Sequence, residues 1–212
     1  MKTPAAPPHD CPLCPRLAAF RADNQKKHPD WFNAPVPSFG PLGARLLIAG
    51  LAPGLQGANR TGRPFTGDWA GDLLYATLLG HGLAKGIYDE RIDDTLELVD
   101  CRIANSVRCV PPQNKPEPSE IKTCRKFLIS ELEVLPNVKV ILALGKIAHD
   151  SVLTTLGAKI SAHPFKHGAV YDVGKFKLIS SYHCSRYNTN TRRLTTEMFE
   201  DVVGKAKQLA LG

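Results

Sequence analysis

Three groups of residues have the types and spacing to do chemistry. Gly50-Leu-Ala-Pro-Gly54 leads into Gly62-Arg-Pro-Phe-Thr-Gly-Asp68, a Gly/Pro-rich stretch that ends in a carboxylate. Glycines let a backbone come close to a ligand, and a backbone leaving a strand turns its amides toward one. Ser181-Tyr-His-Cys-Ser-Arg-Tyr-Asn188 adds an imidazole and an amide, side chains that donate and accept hydrogen bonds near neutral pH. Cys11-Pro-Leu-Cys14 places two thiols where both can reach one metal, and Cys109 and Cys124 form a wider second pair. Zinc and a [4Fe-4S] cluster both satisfy this spacing, and Cys109 and Cys124 can also be read as buried apolar thiols.

These groups need rigid elements behind them. Arg45-Leu-Leu-Ile-Ala49 reads as a strand that delivers Gly50, and Leu73, Leu74, Leu78 and Leu79 predict a helix from about Trp69 to Leu79. Arg102-Ile-Ala-Asn-Ser-Val107 reads as a second strand, ended by Pro111-Pro112 because tandem prolines cannot continue a ladder. Ser119 is the expected N-cap of a helix carrying Ile121, Cys124, Phe127, Leu128 and Leu132. Val138 to Leu144 is an apolar run suited to a strand buried on both faces, followed by a helix from Gly145 to Leu153. Alternation in Val170 to Val173 and Phe176 to Ile179 around Gly174-Lys175 predicts a hairpin whose second arm feeds His183. Thr195 to Leu209 closes the chain as a helix. Strands alternating with helices predict an α/β fold, a three-layer α/β/α sandwich with a mostly parallel sheet. We expect one domain over residues 1–212, with residues 1–40 as a Pro-rich N-terminal arm containing a short amphipathic stretch, Arg16 to Phe20.

The chain has 212 residues, is 43% apolar and carries a formal net charge of +7, which favours a polyanionic partner once the basic residues sit beside a pocket. Arg60, Arg63, Arg108, Arg186, Arg192 and Arg193 all lie near the loops named above. The Pro-rich start lacks the apolar core of a signal peptide and no run is long enough for a membrane span, so the expectation is a cytoplasmic, nucleoid-associated monomer with no membrane contact. Six cysteines in that compartment favour metal or redox chemistry over disulfides, with Cys101 read as core packing. No G-x-x-x-x-G-K-[ST] string occurs, which argues against a P-loop nucleotide enzyme.

The two pocket motifs together resemble those of the uracil-DNA glycosylases, and Ala52, where most of that superfamily has a polar water-activating residue, makes the type B (family 5) branch the nearer likeness. An early C-x2-C, a Cys before Pro-Pro and a Cys in the next helix resemble the iron-sulfur members. The resemblance therefore implies a structural [4Fe-4S] cluster on Cys11, Cys14, Cys109 and Cys124, tying the arm to the core. It implies hydrolysis of the N-glycosidic bond of uracil in DNA, and of other deaminated bases such as hypoxanthine, to leave an abasic site for base excision repair. No amine nucleophile marks a lyase step. Gly50, Leu51, Ala52, Pro53, Gly54 and Phe65 would then line the base pocket, Phe65 stacking on a base flipped out of the helix. Asn105 would read the uracil edge as acceptor for N3–H and donor to O4, and His183 would donate to O2 of the leaving base. With Ala52 unable to polarise water, Asp68 is the expected water holder or the N-cap of the next helix, and Asn59 a turn former or third candidate. Arg186 and Tyr187 are placed to enter the minor groove, and Arg63 and Arg108 to hold phosphates. A damaged-DNA-binding module without turnover is the alternative, and an iron-sulfur electron-transfer protein leaves the two loops unexplained.

Overall fold

The computed structural model describes residues 2–212. The arm contains helix α1 (Pro15–Lys27), and the core begins with strand β1 (Leu46–Gly50), the four-residue helix α2 (Ala58–Thr61) and helix α3 (Trp69–Gly80). A small antiparallel pair, β2 (Ala84–Lys85) and β3 (Glu97–Leu98), precedes strand β4 (Cys101–Asn105), helix α4 (Pro118–Val134) and strand β5 (Val140–Leu144). Helix α5 (Lys146–Thr155), the hairpin β6 (Val170–Val173) and β7 (Phe176–Ser181), the short helix α6 (Arg186–Asn190) and helix α7 (Thr196–Leu211) complete it.

The main sheet has the order β4-β1-β5-β7-β6, parallel throughout except that β6 runs antiparallel to β7. Every residue of β1, β4 and β5 is buried, as the continuous apolar runs of β1 and β5 demand in a sheet covered on both faces, and β4 buries Arg102 and Asn105 as well. The two-residue pleat sorts the side chains. Leu46, Ile48 and Leu142 pack with Leu74, Leu78, Phe199 and Val203 under α3 and α7, while Leu47, Ala49 and Ile141 pack with Leu128, Leu132 and Val152 under α4 and α5. This is the expected α/β/α sandwich. Among the described residues no helix is long and apolar enough to cross a membrane.

Two local expectations change. Helix α4 is capped by Glu117 rather than Ser119: Pro118 presets the first helical φ, and the Glu117 N–H donates to the Glu120 carboxylate at 2.7 Å in a capping box. The amphipathic stretch of the arm is longer than Arg16 to Phe20, running to Lys27. In addition, β4 ends at Asn105, but its chain stays beside β1, with Ser106 N–H donating to Gly50 O and Val107 N–H to Leu51 O. The register pairs Gly50 with Asn105 and Leu144 with Ser181, so the three segments that carry candidate chemistry leave the same edge of the sheet.

Candidate active site

At that edge lies a cavity of about 350 Å³, lined by Leu51, Ala52, Pro53, Gly54, Phe65, Asp68, Trp69, Ala70, Asn105, Asn114, His183, Ser185 and Arg186. The sheet register explains its floor. A Cβ on Gly50 would stand 2.2 Å from Asn105 Oδ1 and 2.9 Å from Phe65 Cζ, so only glycine lets amide and ring approach each other across β1. Asn105 is buried, and its Oδ1 has no hydrogen-bond partner among the described residues. An unpaired buried amide oxygen costs about 1–3 kcal/mol, a cost that a ligand N–H would remove.

Phe65 is held in a left-handed backbone conformation, φ +53°, which a bulky residue adopts only when its surroundings require it. Those surroundings are tight, since a Cβ on Gly71 would fall 1.8 Å from the Phe65 carbonyl oxygen. The Phe65 and His183 rings lie 6.1 Å apart and 30° from parallel. Burial lowers the His183 pKa, with the nearby Asp68 charge acting in the opposite direction, and the net depression keeps the imidazole neutral at neutral pH. Its loop is braced from behind, because Asn188 Nδ2 donates to the His183 carbonyl at 2.8 Å.

Asp68 does cap α3, its Oδ1 accepting from Gly71 N–H at 3.0 Å. Its other oxygen faces Gly54 and Gly57, where added Cβ atoms would stand 3.0 and 2.4 Å away. One oxygen is thus structural, while the second packs against the glycine backbone and Asp68 itself lines the cavity. Asn59 lies outside the cavity lining. Its Nδ2 donates to Asn33 Oδ1 at 2.9 Å within the buried start of the core.

Arg63 and Arg108 are not at the surface. Arg63 forms a two-pronged pair with Asp94, at 2.7 and 2.6 Å, and its guanidinium lies 5.2 to 5.8 Å from the rings of Phe39, Tyr75 and Tyr88. Arg108 is buried against Glu131 at 3.3 Å and Ser38 at 2.5 Å, and Glu131 also binds Arg102. Desolvating these charges is compensated only by their partners, which removes both from the phosphate-facing set. By contrast, Arg186 and Tyr187 open α6 at the cavity mouth, both exposed, and Arg186 lines the cavity.

Sequence reading missed Trp69, Asn114 and Ser185. Trp69 carried a signal, an aromatic residue directly after a helix-capping Asp. Asn114 had none: it reaches the mouth from a strained turn in which Gln113 and Asn114 both have φ +55°.

Cys11, Cys14, Cys109 and Cys124 meet around a second, smaller and apolar cavity with Leu17, Val107 and Phe127. Among the described residues no three His, Cys, Asp or Glu side chains converge as a single metal ion would require. The thiols ring a space instead. Two N–H groups are directed at its sulfurs, Arg108 N–H to Cys124 Sγ at 3.3 Å and Arg21 Nη1 to Cys109 Sγ at 3.5 Å. Burial raises the pKa of Cys14, Cys109 and Cys124, and four thiols around one apolar space, two of them receiving N–H groups, form a donor set of the type that iron-sulfur groups use. The other two cysteines are core residues: Cys101 donates to Leu83 O at 3.2 Å and Cys184 to Ala70 O at 3.4 Å.

The family model described as "Uracil DNA glycosylase superfamily" matches residues 37–207. The chain is 48% identical over 207 residues to a type-5 uracil-DNA glycosylase of Thermus thermophilus, covering 94% of each chain. It is 38% identical to a type-5 uracil-DNA glycosylase of Pyrobaculum aerophilum, covering 93% of this chain and 88% of that one. A type-4 uracil-DNA glycosylase of Thermotoga maritima is 31% identical over 79% of each chain. With the match running through both cavity loops and the strands that carry them, the chain belongs to the uracil DNA glycosylase superfamily.

Proposed function

We propose that this protein hydrolyses the N-glycosidic bond of uracil in DNA, releasing the base and leaving an abasic site. The observation that carries the reading is the unpartnered Asn105 Oδ1 in a cavity shared with a neutral His183. Uracil presents N3–H and O4 on its pairing edge, and an amide with its oxygen free accepts from the first while its NH2 donates to the second. Cytosine has an acceptor and an amino group in those places, so it meets the same amide with both partners mismatched. As the glycosidic bond lengthens, negative charge grows on the base, and a neutral imidazole N–H directed at O2 stabilises it without a prior protonation step. Water then adds to the cationic sugar carbon, and the proton it loses neutralises the departed uracil anion.

Ala52 has no side chain to hold that water. We assign the role to the second oxygen of Asp68, whose first oxygen is committed to the cap. Hypoxanthine offers the same N–H and carbonyl pair as uracil, and about 350 Å³ accommodates a purine, which supports a tolerant pocket. Reaching the cavity requires the nucleotide to leave the stack, and Arg186 and Tyr187 at the mouth suit a wedge that enters the minor groove. The substrate of this activity is DNA and its acceptor is water, and the reading takes one copy of the chain to bind each site.

The four thiols fit a [4Fe-4S] cluster, held by Cys11, Cys14, Cys109 and Cys124. When bound, it would tie the arm of residues 1–40 and the Arg108-to-Cys124 connection to the sheet, and no electron transfer is needed by the hydrolysis.

Duplexes labelled on one strand and carrying U·G, U·A or hypoxanthine·T, incubated with the protein and then treated with alkali, test the reading. Strand breaks at the lesion support it. Tight binding to uracil duplexes without breaks would instead identify a damaged-DNA-binding module.

A further inference from the structure

Trp69 stands at the cavity mouth as a large aromatic side chain left 48% exposed, yet it is not loose. Its indole N–H donates to Thr189 Oγ1 at 3.0 Å, and the Arg186 guanidinium carbon lies 5.7 Å from its ring. Thr189 in turn donates to the Arg186 carbonyl at 3.1 Å, so one turn of α6 both pins the indole edge and covers its face. The ring sits in the first turn of α3, directly after the capping Asp68. These contacts bridge the mouth from α3 to α6 and fix the ring's orientation before any substrate arrives.

We propose that Trp69 is a substrate-contact residue, a stacking platform that receives the extrahelical base at the cavity mouth in exchange for Arg186, whose guanidinium moves to a DNA phosphate. The inference rests on the uracil-excision reading, because it needs a base to enter this cavity. Magnitudes set the direction of the exchange. An exposed cation–π contact shifts an equilibrium by about 2- to 5-fold, whereas a base stacked on an aromatic ring contributes about 5- to 150-fold. Arg186 also gains a charge-assisted hydrogen bond on the phosphate, so both partners improve their contacts when they separate. In the free protein the guanidinium keeps the ring face covered, and the Thr189 hydrogen bond preserves its orientation during the exchange.

The chain has two tryptophans, and the other, Trp31, stacks on His28 at 3.9 Å outside the cavity lining. In a Trp31→Phe background the emission of Trp69 is therefore read alone. Titration with a duplex carrying 2′-fluoro-2′-deoxyuridine, which binds without being hydrolysed, should quench that emission saturably, while the same duplex with a tetrahydrofuran abasic analogue should leave it nearly unchanged. Trp69→Leu should lower kcat/KM on uracil duplexes by about 5- to 150-fold. Trp69→Phe, which keeps a ring, should recover most of that loss.

Equal quenching by the two duplexes, or a Trp69→Leu protein with wild-type kcat/KM, overturns the assignment even while the wild type cuts uracil strands. A wild type that neither binds nor cuts a uracil duplex overturns the excision reading and this inference with it. Should Trp69→Leu fail to fold, the quenching experiment decides, since it leaves position 69 intact.

Discussion

His183 and Asn105 face one cavity, and the donor role proposed for His183 sets what its substitution costs. Removing one preorganised donor typically slows the chemical step by about 100- to 1,000-fold, so His183→Ala should show that loss in single-turnover cleavage with DNA affinity little changed. The imidazole should titrate below its ordinary value, because burial opposes its charge more than Asp68 favours it. A ring midpoint above about 6.5 in an NMR titration would reverse that balance. Asp68→Asn separates the cap, which Oδ1 makes, from the water-holding role proposed for the other oxygen. Asparagine caps as well as aspartate, so melting should be unchanged, while single-turnover cleavage should slow equally on uracil and hypoxanthine if the free oxygen holds water. Unchanged cleavage with unchanged melting would remove Asp68 from the chemistry. His183, Asn105 and Phe65 were legible in the sequence because strand ends and flanking glycines mark them. Arg63 and Arg108 were misread, since an arginine's type says nothing about whether a carboxylate 31 or 23 residues further along will fold against it.

The strands and long helices were readable from apolar runs and periodicity, because burial on both faces of the sheet leaves few polar residues to blur them. The two-residue strands β2 and β3 carry no such period, and their loop holds the partner that pins the pocket from behind. Asp94 in that loop binds Arg63, and its carboxylate also accepts from the backbone N–H of Asp89 and Leu96, each at 3.0 Å. Arg63 lies between Gly62 and Pro64, whose carbonyl accepts from Tyr75 at 2.5 Å, so the pair sets the path of the chain into Phe65. Burial alone would raise the Asp94 pKa, but the Arg63 guanidinium and the two N–H groups outweigh it and hold it at about 2. A carboxylate depressed in the folded state stabilises the protein above its unfolded value of about 3.9, and that contribution is lost as pH falls from about 4 toward 2. Urea denaturation should therefore show wild-type stability falling through that window, with a flatter profile for Asp94→Asn. At neutral pH Asp94→Ala should cost about 3–5 kcal/mol by leaving the Arg63 charge buried and alone. A wild-type midpoint in this variant would mean that the loop relaxes and hydrates Arg63.

At the scale of the whole molecule, the arm and the basic surface carry the proposals that reach beyond the cavity. The proposed cluster ligands come from the arm and from the core, so Cys→Ala at Cys11, Cys14, Cys109 or Cys124 should reduce iron content and soluble yield, while Cys101→Ala, deep in the core, should retain iron. One zinc and no iron in protein purified without oxygen would overturn the cluster assignment. The net charge of +7 was legible from composition, but its distribution was not, because burial withdraws Arg63 and Arg108 from the surface. Arg60, Arg186, Arg192 and Arg193 remain exposed near the cavity loops. Each phosphate they neutralise releases condensed counterions, so four contacts predict a slope of about −3.6 for log K against log salt on duplex DNA. Arg186→Ala should make that slope shallower by about 0.9, since it deletes one contact and adds no repulsion. Arg63→Ala should instead leave the slope unchanged and lower the melting temperature, because its charge is spent on Asp94 inside the protein. A slope that shifts equally in the two variants would place Arg63 on the DNA after all, and would mean that its pair with Asp94 opens when the duplex binds.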